Sequence, residues 1–535
     1  MGKVAYPLCL VEIYGQNESF ILEGNVGIGR NPTSDLISVS THKSLSPESP
    51  AGVFDLTLVH SRDAQGRTWL DKVMPQDTVV LQMSNCHGEI DPNTGAGQLH
   101  TVMIGFVDTV TKQTAVTSAG KLQRAIRIRG RDAGKLFIHG MVTYWSFLGA
   151  SIVGAAQFVD LYQFNDKPNR VIRVLLEQLY QRMMHLQMLV NGSTVDFFDL
   201  LAYRLQSYDV EIPAGLDYQF TGGEGTFWSF FVKCASLPFH ELWIDTRRTG
   251  EALEGVEIES QTPKITLGRD QSAPTLFLRP TPFPYLSPPG PREQAQVEKL
   301  PVVEGDLVTL FARAPVTSSR LHMENWNALQ RHIVGRDDLT GEPFDEEISR
   351  SAEEQPNMYL VFPEYSWIGK DIYLLNVPAI IDVAKFRRYG YRPMTPRCTL
   401  LKIGANDTPE DPMIGFYTSL AWRMATWNCL NDQFLSGTKA FRLLPHVHVG
   451  ERLVDASDWQ VPVEYYIESV KHTFIQNERA VTHLGLTRGL PVNDADHYYP
   501  TLLRNARLTS AVGPGIRDRF KELLQSKPPA SVGGL

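Results

Sequence analysis

Cysteine is scarce in this sequence, and its spacing excludes two kinds of cross-linked fold. The 535 residues contain five cysteines, and none of them forms a C-x-x-C pair. Disulfide frameworks and cysteine zinc sites both depend on paired, usually closely spaced cysteines. We therefore predict scattered free thiols, in a protein made in a reducing cytoplasm, at Cys9, Cys86, Cys234, Cys398 and Cys429.

An excess of positive charge is also missing. The chain has 51 Lys and Arg residues against 59 Asp and Glu, which gives a net charge of −8. Proteins that bind nucleic acid along their surface usually carry a basic face. This charge balance argues against wholesale nucleic-acid binding. A local basic channel is still compatible with it, because a net charge does not show where the charged residues lie.

Long hydrophobic segments are few. Residues 1–15 lack the apolar core and the small-residue cleavage site of a signal peptide. Residues 140–159 carry no charge over about the length of a spanning helix, but Thr143, Ser146 and Gln157 dilute them. We predict a buried helix or a surface that packs on another subunit there, and no membrane span.

Recognised catalytic motifs are absent. The sequence contains neither G-x-S-x-G nor H-E-x-x-H, and residues 130–135 fall one residue short of a phosphate loop. The adjacent Cys86 and His87 lack the surroundings of a cysteine peptidase. Glu464 and Glu468 would lie about 13 Å apart along a strand, too far for the carboxylate pair of a glycosidase. We predict no catalytic residue and no cofactor.

Two histidines leave metal binding open. His446 and His448 alternate on a predicted strand and therefore share a face, as metal ligands would. No third ligand can be assigned from the sequence, although His472 and His483 are candidates. Ordinary strand histidines are the favoured interpretation, so no metal site is predicted.

The pattern that organises the chain is a hairpin that occurs twice. Residues 459–491 alternate as two strands around a polar turn, and we call them the second hairpin. Residues 101–132, the first hairpin, follow the same order, and the second strand of each ends in Arg-Gly. Upstream, residues 75–80 have a loose counterpart in 449–454. We interpret this as an internal repeat of a β-module.

The segments between the hairpins are mixed. Apolar periodicity predicts helices, and β-branched runs predict strands. Prolines crowd residues 280–291 into an extended strap, and residues 334–355 are acidic and predict a long exposed loop. The predicted helices are 166–189, 195–205, 225–236 and 409–435, and the predicted strands include 8–14, 241–245 and 275–279.

Several passages in a consistent order resemble central hub proteins of phage tail baseplates. The second hairpin resembles the closing hairpin of that family, and residues 129–132 resemble the end of its first barrel. Two further similarities are a helix-then-strand passage, at 227–245 with 276–283, and an aromatic-basic segment at 385–392. The resemblance extends to the hub of T4-like phages and to the base of type VI spike proteins.

The resemblance implies an α+β fold with two tail-tube-like antiparallel β-barrel domains and inserted helical and mixed α/β segments. It implies a ring-shaped homotrimer, in which two barrels per chain convert three-fold into near six-fold symmetry. Such a ring joins the six-fold tail tube to the three-fold spike and forms part of the DNA conduit. The mild acidity of the chain fits a channel that DNA passes without specific binding.

The implied partners are the tail tube protein, the central spike, the tape-measure protein and other baseplate proteins. The protein would be made in the host cytoplasm, and its place would be the tail baseplate of the virion. The expected domains are a first tube-like barrel (1–135), a helical and mixed α/β domain (136–265), strands with the proline strap (266–320), a mixed segment with the acidic loop (321–435), a second tube-like module (436–500) and a tail (501–535).

Charged and aromatic positions on the two hairpins are the candidate subunit interface. On this interpretation the carboxylates belong to a barrel wall or a contact between copies, and the protein is not an enzyme. Two alternatives remain: a cell-wall-degrading tail enzyme, if the histidine or Cys-His pairs gain partners in space, and the hub of a phage-derived contractile injection machine. The interface candidates are Glu464, Tyr466, Glu468, Asp108, Arg129 and Arg488.

Overall fold

The structure is a computed structural model of the chain. The predictions for residues 140–159, for Cys86 and His87, and for the end of the proline strap lie outside the residues that it describes. The described residues are 7–15, 18–25, 34–85, 98–116, 122–139, 163–164, 167–180, 186–190, 192–207, 216–219, 226–249, 258–287, 320–335, 342–363, 379–398, 400–402, 410–457, 461–492, 502–503 and 508–511.

The first half of the chain alternates between strands and short helices. In chain order its elements are β1 (Leu8–Tyr14), β2 (Ser19–Asn25), β3 (Leu36–Ser44), β4 (Val53–Val59), α1 (Trp69–Lys72), β5 (Thr78–Ser84), β6 (His100–Val116), β7 (Leu122–Asp132), α2 (Gly134–His139), β8 (Gln163–Phe164), α3 (Pro168–Val174, continued by a π-helical turn, Leu175–Tyr180), β9 (Gln187–Val190), β10 (Ser193–Asp196), α4 (Phe197–Leu200), β11 (Ala202–Gln206), β12 (Leu216–Gln219), α5 (Phe227–Ala235) and β13 (His240–Arg248).

The second half ends in the second hairpin. Its elements are β14 (Ile258–Gln261), β15 (Ser272–Pro280), β16 (Tyr285–Leu286), β17 (Leu321–His322), α6 (Glu324–Asn327), β18 (Arg331–Val334), β19 (Asp345–Ser349), β20 (Met358–Tyr359), β21 (Phe362–Pro363), β22 (Ala379–Asp382), α7 (Val383–Tyr389), β23 (Pro393–Met394), β24 (Arg397–Cys398), β25 (Leu400–Lys402), α8 (Glu410–Asn428), β26 (Leu435–Arg442), β27 (Arg452–Asp455), β28 (Val463–Ile475), β29 (Arg479–Pro491) and β30 (Leu508–Ala511).

Both hairpins belong to one sheet of thirteen strands. Its order is β19-β26-β29-β28-β3-β4-β7-β6-β5-β1-β2, with β27 on β28 and β18 on β27. We call β1–β7 the first module, and β18, β19 and β26–β29 the second module. The ladder between β3 and β28 joins them, and we call it the module junction. All pairs are antiparallel except β18 with β27.

The second hairpin forms where its sequence predicts it. Residues 463–475 pair with 491–479, and the turn places Asn477 at a positive φ of 58°. Asn tolerates that left-handed backbone better than most residues do. Burial alternates along much of β28, so one face of the strand packs inward while the other faces outward.

Each module covers its own apolar core. The first core includes Val11, Phe54 and Ile128, and it also takes Phe474 from the second hairpin across the module junction. The second core includes Tyr465, and Trp243 and Phe277 close it from a separate four-stranded sheet. A third core surrounds the helices α3, α5 and α8. The two modules are therefore packed as one unit.

The thiol prediction is confirmed for four cysteines. Cys9, Cys234, Cys398 and Cys429 are free and buried. Burial raises the pKa of the Cys429 thiol to about 12, which keeps the thiol protonated at neutral pH.

None of the helices among the described residues is long and apolar enough to cross a membrane.

Three sequence predictions of local structure were wrong. In the acidic segment 334–355, residues 336–341 lie outside the described residues, and the exposed Asp345, Glu346 and Glu347 belong to the strand β19, which pairs with β26. Residues 195–205 form the end of β10, α4 and β11 instead of one helix, because β9 and β15 pair with the two strands. Residues 187–189, at the end of the predicted helix 166–189, belong to the strand β9. Helices α5 and α8 and strands β1, β13 and β15 are confirmed.

At the level of fold class, the described residues are mostly β-structure with inserted helices, as expected. The two hairpins lie in one antiparallel sheet that curls around the module cores. The interpretation of the modules as tail-tube-like barrels, and the domain boundaries above, stay predictions.

Gly130 offers a test of the packing in the first hairpin. A Cβ at this position would lie 2.2 Å from the Phe106 carbonyl oxygen and 2.3 Å from the Phe54 ring. We expect Gly130→Ala to lower the free energy of unfolding by about 1–3 kcal/mol, because backbone atoms cannot yield. Thermal unfolding followed by circular dichroism measures it. Gly415→Ala in α8 is the matched control, since that Cβ meets nothing within 4 Å; equal midpoints for both variants would contradict the packing.

Candidate assembly site in the repeated hairpins

A capped turn precedes one strand of each module, β5 in the first and β27 in the second, and we call each of these the inner strand. The Asp77 carboxylate accepts a hydrogen bond from the Met74 backbone N–H at 2.8 Å. The Glu451 carboxylate accepts one from the His448 backbone N–H at 3.0 Å. Each acid thus caps the residue three positions before it, and both acids are buried. The loose correspondence of these two segments in the sequence therefore reflects one local structure.

The two turns share a backbone conformation and a hydrogen bond. Gln76 has a φ of 74° and Gly450 a φ of 78°. The N–H of Gln76 donates to the Val107 carbonyl, and that of Gly450 donates to the Ile467 carbonyl, both at 2.8 Å. Glycine adopts this left-handed conformation readily, whereas glutamine does so only under constraint. A shared unusual conformation is strong support for the repeat.

A β-bulge follows each of these hydrogen bonds. In the first hairpin Asp108 is the extra residue, since its neighbours Val107 and Thr109 pair with consecutive residues of β7. In the second hairpin Glu468 is the extra residue, between Ile467 and Ser469. Bulges re-aim the side chains of a strand and are built features of a sheet. The internal repeat is confirmed, with Asp108 and Glu468 at equivalent positions.

The register corrects one detail of the repeat. Gly130 pairs with Val107, whereas the residue that pairs with the equivalent Ile467 is Leu486 and not Gly489. The two Arg-Gly pairs are therefore not equivalent in position. They still share a role, because an aromatic ring covers each glycine: Phe54 over Gly130 and Tyr465 over Gly489.

Asp108 and Arg129 reach the surface of the first hairpin. Arg131 and Lys135 each lie 2.7 Å from the Asp108 carboxylate. Although partial burial opposes it, these hydrogen bonds lower the pKa of Asp108. Lys135 is buried in this pairing, so it does not serve a phosphate loop. The side chain of Arg129 is 55% exposed and contacts Asp55 at 3.2 Å.

Glu464 lies inside the chain. Its side chain is 3% exposed, and its carboxylate lies 3.1 Å from Arg331 and 3.3 Å from Arg452. The Trp326 indole N–H also points to it, at 3.4 Å. A carboxylate buried among two guanidinium groups is held in place by charge pairing, and removing one partner would leave an uncompensated buried charge.

Tyr466 is likewise buried between elements. Its hydroxyl donates to Glu241 and accepts a hydrogen bond from Arg279 at 2.9 Å. Burial, with the nearby Glu241 carboxylate, raises the pKa of Tyr466 well above its ordinary value. Tyr466 therefore acts as a neutral link between the second hairpin and the four-stranded sheet.

Arg488 and Glu468 complete the candidate set. The Arg488 guanidinium donates to the Trp427 carbonyl at 2.6 Å and lies 3.6 Å from the centre of the Phe283 ring. Glu468 is exposed, and its carboxylate accepts a hydrogen bond from Thr487 at 3.1 Å. Of the six candidates, Asp108, Arg129, Glu468 and Arg488 are at least partly open to solvent, whereas Glu464 and Tyr466 are buried. Their role in a subunit interface stays a prediction.

The sequence placed His446 and His448 on a strand, and this was wrong. They lie in the turn between β26 and β27, where His448 Nδ1 is 3.1 Å from the Asp245 carboxylate. The ring centre of His446 is 5.9 Å from that of His100 and 5.3 Å from that of His332. Within the described residues, no group of three or more His, Cys, Asp or Glu side chains is arranged to hold a metal ion.

These histidines lie beside two buried acids, Asp245 and Glu451. Burial, with the neighbouring His332 and His100, lowers the pKa of His446 to about 3. Although burial opposes it, His448 and Arg247 lower the pKa of Asp245 to about 2. The cluster gathers side chains from both modules and from β13, and only the structure reveals it, because its members are distant in sequence. The charged and titratable groups within it are His100, His332, His446, His448, His472, Asp245, Arg247 and Glu451.

Comparison with known proteins extends the account at the level of fold. No family model and no curated protein sequence matches this chain. Among solved structures, the chain is similar to two tail proteins, one of them from a prophage, at TM-scores below 0.5. The family resemblance drawn from the sequence agrees with these structures, which include tail proteins and a type VI secretion component.

Three solved structures illustrate the similarity. A tail protein from Neisseria meningitidis is 10% identical, with a TM-score of 0.42 over 90% of this chain and 96% of that one. A prophage tail protein from Shewanella oneidensis is 11% identical, with a TM-score of 0.44 over 90% and 98%. An E. coli type VI secretion component, described as structurally similar to T4 bacteriophage tail proteins, is 8% identical, with a TM-score of 0.34 over 88% and 77%.

The histidine cluster predicts a loss of stability in mild acid. The ordinary pKa of histidine is 6.5 and that of His446 in the fold is about 3, so the unfolded chain binds more protons between these values. The contribution is complete above pH 6.5 and is lost as the pH falls toward about 3. His446→Gln should make the decline shallower, by up to about 1.4 kcal/mol per pH unit. Thermal midpoints across this pH range measure it, with His60→Gln as control; an unchanged slope in His446→Gln would contradict it.

Proposed function

We propose that this protein is the structural hub of a phage tail baseplate. It forms a ring-shaped trimer that joins the six-fold tail tube to the three-fold spike and lines part of the DNA conduit. The observation that carries the proposal is the repeat. Two copies of a capped turn, an inner strand and a bulged hairpin lie side by side in one sheet.

Symmetry explains why a hub needs such a repeat. A six-fold tube presents six equal surfaces, and a three-fold spike presents three. Three chains with one module each would leave half of the tube contacts empty, whereas three chains with two similar modules supply six. The segments outside the modules occur once per chain, so they match the three-fold side.

The geometry also accounts for a stable ring wall. The module junction pairs β3 with β28 over seven residues, and both modules bury apolar cores behind the sheet. A closed ring of such sheets leaves no strand edge free and encloses a channel. The net charge of −8 fits a chain that has little overall attraction for passing DNA.

Assembly is the direct test of the proposal. The 535-residue chain has a mass of 60.1 kDa, and we expect a species of three times that mass by mass photometry, with tail tube and spike proteins present if needed. A stable monomer under all these conditions would rule out the hub. Clearing of peptidoglycan in a zymogram would instead favour the cell-wall-degrading alternative.

Charge reversal at the second bulge tests the interface role. Glu468 is exposed, so Glu468→Arg should fold normally and yet weaken the trimer if this carboxylate faces a neighbouring copy. Glu478→Arg is the matched control, because Glu478 is exposed at the turn of the same hairpin. Equal trimer fractions for both variants would remove Glu468 from the interface. Glu464 is unsuitable for this test, since its reversal would disrupt a buried ion pair.

A further inference from the structure

We propose that β19 of one copy pairs, antiparallel, with the outer edge of β6 in the next copy, as β3 pairs with β28 within one chain. The occupant of each edge is thus a second copy of this protein. The inference rests on the proposed ring and names the strands, the register and the chemistry of its subunit contact.

The repeat fixes which strand of the second module corresponds to β3. In the first module, Gly130 of β7 pairs with Phe54 of β4, which pairs with Thr41 of β3. In the second module, the equivalent Leu486 of β29 pairs with Gly437 of β26, which pairs with Ile348 of β19. The strand β19 therefore occupies the same position in the second module as β3 does in the first, and Ile348 corresponds to Thr41.

The module junction shows what β3 does with its outer edge. Residues 38–44 of β3 pair with residues 475–469 of β28, just beyond the bulge. The Leu45 N–H donates to the carbonyl of the bulged Glu468 at 3.0 Å. Leu36 and Phe474 are buried in the first core at this junction.

The corresponding edges have no partner within the described residues. Beyond its own bulge, β6 pairs with β7 alone from Thr109 to Val116, because its pairing with β5 ends at Phe106. On its outer side, β19 has no neighbour in the described sheet and pairs with β26 alone. Thr109 and residues 111–114 are exposed, as are Asp345, Glu346 and Glu347. Unsatisfied strand edges of this kind pair with another strand when one is offered.

Transferring the register gives specific pairs between copies. Thr41 pairs with His472 in the junction, so Ile348 should pair with Lys112, the residue at the equivalent position of β6. It follows that Glu347 should oppose Gln113, and Glu346 should oppose Thr114.

The faces of the two strands agree with this register. Ile348 packs on the core of the second module, and Val110 packs on the core of the first. Lys112 shares its face with Val110, and Glu346 shares its face with Ile348. The assembled sheet would therefore keep Val110 and Ile348 on the side that covers the two module cores.

The proposed contact would pair opposite charges and cover an exposed aromatic side chain. Glu346 and Lys112 become diagonal neighbours on one face, a distance that an ion pair spans. Phe344 is 59% exposed. Leu36, which the bulge between Leu36 and Ser38 brings to the matching place in β3, is 1% exposed in the module junction. A neighbouring copy would cover Phe344 as the second hairpin covers Leu36.

Cysteine pairs test the register in the full-length chain. Alternate residue pairs of an antiparallel ladder differ in hydrogen bonding and in spacing, so two adjacent pairs cover both geometries: Gln113→Cys with Glu347→Cys, and Thr114→Cys with Glu346→Cys. We expect at least one of them to give a covalent trimer on a non-reducing gel. The control, Thr114→Cys with Glu347→Cys, is one residue out of register and should remain uncross-linked.

The outcomes separate this inference from the proposed function. A trimer by mass that forms no cross-link with either in-register pair would overturn the strand pairing and leave the hub intact. A monomer would overturn both. Cross-linking of the control as strongly as the in-register pairs would also overturn the register.

Phe344 provides a test without cysteines. We expect Phe344→Ser to raise the concentration at which the trimer dissociates about tenfold or more, because the apolar surface that the contact buries is lost. Tyr391→Ser is the control, since Tyr391 is 62% exposed and lies outside both modules. Sedimentation velocity over a dilution series measures the effect, and equal dissociation of the two variants would contradict the contact.

Discussion

The edge of a β-strand carries a row of backbone N–H and C=O groups, and the way in which these groups find partners governs the rest of this structure. Between β3 and β28 the groups are satisfied within the chain, so two modules become one sheet. That ladder fixes the angle and the spacing of the modules. The shared core follows from it, because Phe474 reaches the first core only when its strand is paired with β3.

Buried charges hold the single-copy segments against this sheet. Arg279 on β15 contacts Glu241, the Gly450 carbonyl and the Tyr466 hydroxyl, while Arg247 on β13 contacts Glu451. Guanidinium groups suit such sites because they donate in several fixed directions at once. The capped turn of the second module is thereby anchored to the four-stranded sheet, which makes the turn both a repeat element and a docking point.

Local patterns in the sequence predict the elements whose stability is local. The second hairpin, α5 and the strand β1 follow from periodicity and turn residues, and β1 has the predicted bounds. The strand β19 was missed, because Asp345, Glu346 and Glu347 have low strand propensity and the strand depends on its pairing with β26. Lys439, which is buried between Glu346 and Asp455, supplies a further contact that no local pattern contains.

In the candidate site, too, some features could be predicted from the sequence and others could not. Asp108 and Glu468 were singled out by their place in the repeat, and the register confirms that they are equivalent bulges. The burial of Glu464 and the histidine cluster could not be predicted, because their partners come from positions far away in the chain. The available sequence signal for the capped turns was an acidic residue just before an apolar strand, three positions after the residue that it caps: Asp77 after Met74, and Glu451 after His448. This signal is weak.

The length of chain between the two strands of the module junction sets an order of events during synthesis. Ser44 pairs with Ser469, so the edge of β3 stays open until the first strand of the second hairpin has left the ribosome. During that interval the β28 strand of an already finished copy can pair with it, and the result is a domain-swapped chain with the same contacts in the wrong molecule. We therefore expect the yield of correctly connected protein to depend on two factors that act before the second hairpin emerges: the local translation rate and chaperone binding.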